Sequence, residues 1–120
     1  MALKTLLVTR RTHPFGISML EKELTVQDLL NPTRDQLLQA LPGVTANIAG
    51  IAVKYDGDLL DHAPELVVVA RHGVGLDNVD LNAATERGIC ILYTPMAMTT
   101  AVAEHAVALM FAAAKSLIPC

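Results

Sequence analysis

Apolar residues recur along the chain in short continuous runs. The runs cover Leu3–Val8 and the segments NIAGIAVKY (47–55), ELVVVA (65–70) and ICIL (89–92). A half-exposed strand alternates apolar and polar residues, whereas a central strand of a parallel sheet is apolar on both faces. The pattern therefore predicts buried parallel strands, with a weaker strand in ELTVQ (23–27).

Helical segments with recognisable start and stop signals separate these runs. They are predicted within residues 18–24, 33–41, 56–65 and 80–88. Thr33 and Asp80 are suitable N-cap residues, and Gly88 is suited to end the last of these helices. Strands that alternate with helices through short links predict an α/β domain, with an open parallel sheet of about five strands and helices on both faces.

The last apolar stretch, Thr99–Pro119, predicts a long apolar helix in which Thr99 or Thr100 is the N-cap. Its apolar residues spread around the whole cylinder, and such a helix is normally buried on every side. Because a small domain covers one side at most, we expect self-association through the helix at 99–118. Three ionisable residues and many alanines make this stretch a poor membrane span.

Composition narrows the classes of function. Charged residues make up 18% of the 120 residues and the net charge is −3, without basic clusters, which argues against nucleic acid or an anionic membrane as partner. The two cysteines, Cys90 and Cys120, suit neither a disulfide framework nor a metal site. Cys90 lies in an apolar run and is expected to be buried. The N-terminus has no signal-peptide pattern, so we expect a cytoplasmic protein.

Two glycines follow the predicted strand at 65–70, in the segment ARHGVGLDNVD (70–80). Gly73 and Gly75 would lie beyond the carboxyl end of a parallel strand, where ligands bind in open α/β sheets. Successive backbone N–H groups there can form an anion-binding nest for a carboxylate or phosphate. Two alternatives remain: a tight turn packed against a helix, and a dinucleotide-binding turn, although position 78 holds Asn where that fingerprint has a third glycine.

The segment from ARHGVGLDNVD through YTPMAM to AVAEHAVALMFAAAKS resembles the D-isomer-specific 2-hydroxyacid dehydrogenases, most of all their phosphoglycerate and hydroxypyruvate dehydrogenase branch. The match is strong over roughly the last fifty residues. The resemblance implies that residues 1–98 form a flavodoxin-like substrate-binding domain. It also implies that residues 99–118 form a helix that crosses to an NAD-binding domain.

The resemblance also implies roles for individual residues. The N–H groups of Val74 and Gly75 would bind the carboxylate of a small D-2-hydroxy or 2-keto acid. Val74, Met98 and Val102 would lie near the nicotinamide of the cofactor, NAD.

Further candidates follow from their positions. His72 lies beside the glycine loop, and Tyr55 lies at the end of the predicted strand 47–55, so both are candidate substrate contacts. Arg71 is interpreted as pairing with Asp77 and stiffening the loop. The segment VKYDGD contains no Arg, which argues against a phosphorylated substrate.

Catalytic residues are not assigned. In the resembled family an Arg, a Glu–His pair and a full G-x-G-x-x-G motif come later in the chain, and no residue here matches them. Glu104 and His105 are adjacent on a helix and therefore do not face each other as an acid–base pair. We expect a chain truncated before its NAD-binding domain and inactive by itself. The alternative function is a non-enzymatic module that binds a small acid or a peptide.

Overall fold

The computed structural model describes residues 4–117, in which strands and helices alternate. The elements are β1 (Lys4–Val8), α1 (Pro14–Leu20), β2 (Leu24–Asp28), α2 (Arg34–Ala40), β3 (Ala46–Ala49), α3 (Gly57–Asp61), β4 (Val68–Arg71), α4 (Leu81–Glu86), β5 (Cys90–Leu92) and α5 (Thr99–Ala114). The strands form one parallel sheet in the order β2-β1-β3-β4-β5, the flavodoxin-like order. The predicted fold is confirmed. Leu3, Ile118, Pro119 and Cys120, which the predictions include, lie outside the described residues.

The strand order determines which face each helix covers. The chain moves from β1 outward to β2, then back past β1 to β3 and on through β4 to β5. Because crossover connections between parallel strands are right-handed, this reversal puts α1 on one face and α2, α3 and α4 on the other.

The hydrophobic core lies between the sheet and helices α2–α4. Leu7, Asn47 and Val69 are neighbours in the strand register, so their side chains share this face, and each is at most 1% exposed. The helices contribute buried aliphatic residues: Leu37 and Leu41 from the α2 region, Leu59 and Leu60 from α3, and Ala83 and Ala84 from α4.

The opposite face of the sheet is covered only in part. Leu6 and Val8 of β1 are buried, but toward β5 the apolar residues on this face are half-buried or exposed: Ile48, Val68, Ala70, Cys90 and Leu92. Cys90 is exposed, so the prediction that it is buried was wrong. An apolar strand is buried only where a second layer packs on it, and no helix in residues 4–117 covers β5 on this side.

Two helix starts differ from the sequence predictions, whereas the predicted N-caps Thr33 and Asp80 are both present. Thr33 caps α2 through a capping box with Gln36, as predicted. Helix α1 begins at Pro14, earlier than predicted, because proline is well suited to the first helical turn and His13 Nδ1 accepts from the Phe15 N–H. The predicted threonine cap of α5 was wrong: Met98 is the N-cap and makes no side-chain bond, while the Thr99 hydroxyl donates to the Pro95 carbonyl.

Helix α5 projects away from the rest of the chain. It has no buried residue, and its large apolar side chains, including Val107 and Phe111, are 49–69% exposed. The radius of gyration is 17.6 Å, whereas a compact domain of this length has about 14 Å. One helix therefore accounts for much of the elongation to 60 Å.

Candidate functional site

A cleft of about 440 Å³ lies at the carboxyl ends of β3 and β4. Its walls are the loop at 50–54 and the glycine loop, residues 72–78; the lining includes Ile51, Lys54, Arg71, Gly75, Asp77 and Asn78. The predicted strand 47–55 is correct only as far as Ala49. Gly50 leaves the sheet because its N–H donates to the Thr9 hydroxyl. Further on, Tyr55 pairs with Val79 in an isolated bridge outside the five strands.

The glycine loop contains two backbone donors that are unpaired within residues 4–117, and one of them, Gly75, lines this cleft. The Gly73 N–H donates to the Arg71 carbonyl, and the Gly73 carbonyl accepts from the Thr94 N–H, each at 2.9 Å. The next two N–H groups, those of Val74 and Gly75, have no acceptor among residues 4–117, and both residues are exposed. Two adjacent unpaired donors at a loop suit an anion with two oxygens.

Glycine is required at position 73 for a physical reason. Its φ is +153°, which other residues rarely adopt, and a Cβ there would lie 2.7 Å from Arg71 Nη1. At Gly75, a Cβ would lie 2.9 Å from Asp77 Oδ2. The loop therefore packs directly against the side chains of its own neighbours.

Arg71 is committed to this loop. It is 8% exposed; its Nη1 donates to the His72 carbonyl at 2.5 Å and its Nε to Asn78 Oδ1 at 3.2 Å. The interpretation that Arg71 pairs with Asp77 was therefore wrong. In the sequence, Asn78 is notable only as the residue in place of a third glycine, yet its Nδ2 donates to the carbonyls of Gly50 and Val53 on the opposite wall.

The two candidate substrate contacts beside the cleft differ in exposure. The His72 side chain is exposed at the start of the loop, and its backbone N–H donates to the Ala49 carbonyl. Tyr55 is 1% exposed, and its hydroxyl donates to Asn47 Oδ1 at 2.6 Å. Burial raises the pKa of Tyr55 to about 12. The Tyr55 hydroxyl therefore faces the core, where its one donor is used by Asn47.

An ion pair fixes the far end of the 50–54 loop. Arg34 donates to the Lys54 carbonyl at 3.2 Å and to Asp56 Oδ1 at 2.7 Å. Asp56 is also the N-cap of α3, accepting from the Leu59 N–H. The hydrogen bond from Arg34 holds the pKa of the Asp56 carboxyl below its usual value. The pair is partly exposed, so its effect is mainly on geometry rather than stability.

The segment that follows β5 is anchored to the glycine loop by the Thr94–Gly73 bond. Met98 and Val102 come next, at the N-terminal end of α5, with side chains 53% and 59% exposed. Within residues 4–117 no helix is both long and apolar enough to span a membrane, and no group of His, Cys, Asp and Glu has the arrangement of a metal site.

An open parallel sheet with a glycine loop at its carboxyl edge is typical of α/β domains that bind ligands at this edge. The family model described as the catalytic domain of D-isomer specific 2-hydroxyacid dehydrogenases matches residues 6–116. The chain belongs to this family.

Known proteins with similar sequences and structures agree with this assignment. The chain is 38% identical to D-3-phosphoglycerate dehydrogenase of Mycobacterium tuberculosis, over 98% of this chain and 22% of that protein. It is 36% identical to glyoxylate reductase of Pyrococcus furiosus, over 92% of this chain and 34% of that protein. The crystal structure of the TT0316 protein from Thermus thermophilus superposes with a TM-score of 0.88 at 34% identity, over 94% of this chain and 37% of that one. The chain thus spans between a fifth and two fifths of the length of these relatives.

Proposed function

We propose that this chain binds the carboxylate of a small D-2-hydroxy or 2-keto acid through the backbone N–H groups of Val74 and Gly75. It would serve as the substrate-binding part of an NAD-dependent oxidoreductase that acts on the CH–OH group. The observation that carries the proposal is the pair of adjacent N–H donors, at the carboxyl edge of the sheet, that have no acceptor within residues 4–117. Two cationic side chains, Lys54 and Arg71, line the same cleft, whereas Asp77 is the one carboxylate in its lining. This balance of charge favours an anionic ligand.

The cofactor of the proposed reaction is NAD, which members of the family use. Val74, Met98 and Val102 present exposed apolar side chains, which suit the flat nicotinamide ring. The glycine loop does not suit the pyrophosphate, because Asn78 replaces the third glycine and its side chain is fully engaged. We therefore expect residues 1–120 alone to bind NAD poorly and not to turn it over, since the catalytic Arg and Glu–His pair of the family have no match among them.

The proposed partner of α5 is a second copy of the chain. Two apolar surfaces are exposed to water: the side chains of this helix and the uncovered part of the sheet. Exposed apolar surfaces of this kind favour association. Symmetric pairing of identical chains would cover both helices at once.

Binding of pyruvate, a small 2-keto acid, tests the carboxylate site. In ¹⁵N–¹H correlation spectra, the amide resonances of Val74 and Gly75 should shift in a saturable way, with a Kd of about 1–10 mM for so small a ligand. Methyl pyruvate, which lacks the charge, is the matched control and should produce no such shifts. Equal shifts with both compounds, or shifts elsewhere only, would refute the carboxylate site.

A further inference from the structure

Asn78 joins three segments around the cleft. Its Nδ2 donates to the carbonyls of Gly50 at 3.1 Å and Val53 at 2.9 Å, and its Oδ1 accepts from Arg71 Nε. Its backbone carbonyl accepts from the Tyr55 N–H at 2.7 Å. A side-chain amide has two N–H donors, and both are used here, so Asn78 has no donor left for a ligand. Asn78 therefore acts on a ligand only indirectly, through the backbone segments to which it is bonded.

The glycine loop is fixed at both of its ends. At the first end, Arg71 packs on Gly73 and donates to the His72 carbonyl, and the Thr94 N–H donates to Gly73. At the other end, the loop is bonded to the opposite wall by the side chain of Asn78. Within residues 4–117, no other side chain of the loop makes such a bond. Val74 and Gly75 lie between these two anchors, and their N–H groups owe their direction to both.

We infer that Asn78 is the positioning residue of this site: by bonding the glycine loop to the 50–54 loop, it aims the Val74 and Gly75 N–H groups into the cleft. This inference rests on the function proposed above only as far as the ligand is concerned. Preorganised donors bind an anion more tightly because no ordering of the loop is needed on binding. The asparagine thus has a role that a third glycine could not fill.

Two variants separate the bonds that Asn78 makes. Asn78→Asp keeps the acceptor for Arg71 and removes both donors to the opposite wall, whereas Asn78→Ala removes all three side-chain bonds without adding charge. Asn82→Asp on α4, an exposed residue, is the matched control. We expect both Asn78 variants to raise the Kd for pyruvate about tenfold, because the loop would then have to be ordered on binding, and Asn82→Asp to leave it unchanged.

A second measurement requires no ligand. ¹⁵N relaxation should give order parameters near 0.85 for Val74 and Gly75 in the unsubstituted chain, and below about 0.6 in both Asn78 variants. The core amides of β1 and β3 should keep their dispersed resonances, which shows that the fold is intact. The unsubstituted chain tests the inference even if the variants do not fold. Mobile Val74 and Gly75 amides in that chain would overturn it.

The outcomes distinguish this inference from the proposed function. Rigid amides in the unsubstituted chain and mobile ones in the variants support positioning by Asn78, even if pyruvate does not bind, in which case the proposed function fails alone. Pyruvate binding that is unchanged in both variants, with an equally rigid loop, overturns the inference and leaves the proposed function standing.

Discussion

At the scale of single residues, the buried pair Tyr55–Asn47 makes the stability of the fold sensitive to alkali. The pKa of Tyr55 is raised to about 12, against about 10 in an unfolded chain. The folded state therefore keeps a proton that the unfolded state loses, and the free energy of unfolding should fall as the pH rises from about 10 to about 12. Below pH 10 the hydroxyl is protonated in both states and has no such effect.

Replacing Tyr55 by Phe tests this pair. Tyr55→Phe leaves the buried Asn47 Oδ1 without its donor, so we expect a loss of about 1–3 kcal/mol at pH 7 and a weaker dependence on pH above 10. Urea unfolding measured between pH 7 and pH 11 gives both quantities. Tyr93→Phe is the control, since Tyr93 is 48% exposed, and an equal response of the two variants would contradict the role assigned to Tyr55.

Gly73 shows how a single Cβ can be too large. Gly73→Ala should destabilise the chain by about 1–3 kcal/mol and abolish the shifts of Val74 and Gly75 with pyruvate, because the methyl group meets Arg71 Nη1 at 2.7 Å and φ is +153°. Gly16→Ala in α1 is the contrasting control, since its Cβ would lie 3.8 Å from its nearest neighbour and alanine favours a helix. Thermal unfolding should therefore move in opposite directions for the two variants.

At the scale of elements, the sequence predicted those features that depend on local chemistry. Thr33 and Asp80 are side-chain caps as predicted, and Gly88 has the positive φ of a residue that ends a helix. The continuous apolar runs identified the strands, although β3 is shorter than its run because Gly50 bonds to Thr9, which is distant in sequence. Local patterns contain no information about such a bond.

The same limit applies to the side chains around the site. Tyr55 and Arg71 lie at the predicted edge of the sheet, but whether a side chain there faces the cleft or the core depends on its partners. Asn47, eight residues away, holds the Tyr55 hydroxyl in the core, and Asn78 rather than Asp77 takes the guanidinium Nε of Arg71. Whether Cys90 is buried depends on a covering layer, which the pattern of β5 alone does not reveal.

At the scale of the whole molecule, the chain combines one well-packed layer with two uncovered apolar surfaces. Helices α2–α4 bury one face of the sheet, whereas the other face toward β5 and all of α5 remain open. Covering apolar surface stabilises by about 25 cal/mol per Å², so several hundred Å² on α5 provide a strong drive for association. The cleft at the glycine loop is formed by residues attached to the well-packed part of the chain. Its shape therefore does not depend on this association.

Light scattering after size-exclusion chromatography tests the association. We expect the chain to elute above its monomer mass of 12.8 kDa at high concentration, through α5. Val107 and Phe111 line one apolar patch of this helix. The double variant Val107→Lys/Phe111→Lys should shift the chain toward monomer, because association through α5 would bury two charges of each chain. Gln39→Lys/Asn82→Lys adds the same charge at exposed positions of α2 and α4 and should not. A monomer at every concentration, or an equal shift in both double variants, would show that α5 is not the surface through which the chain associates.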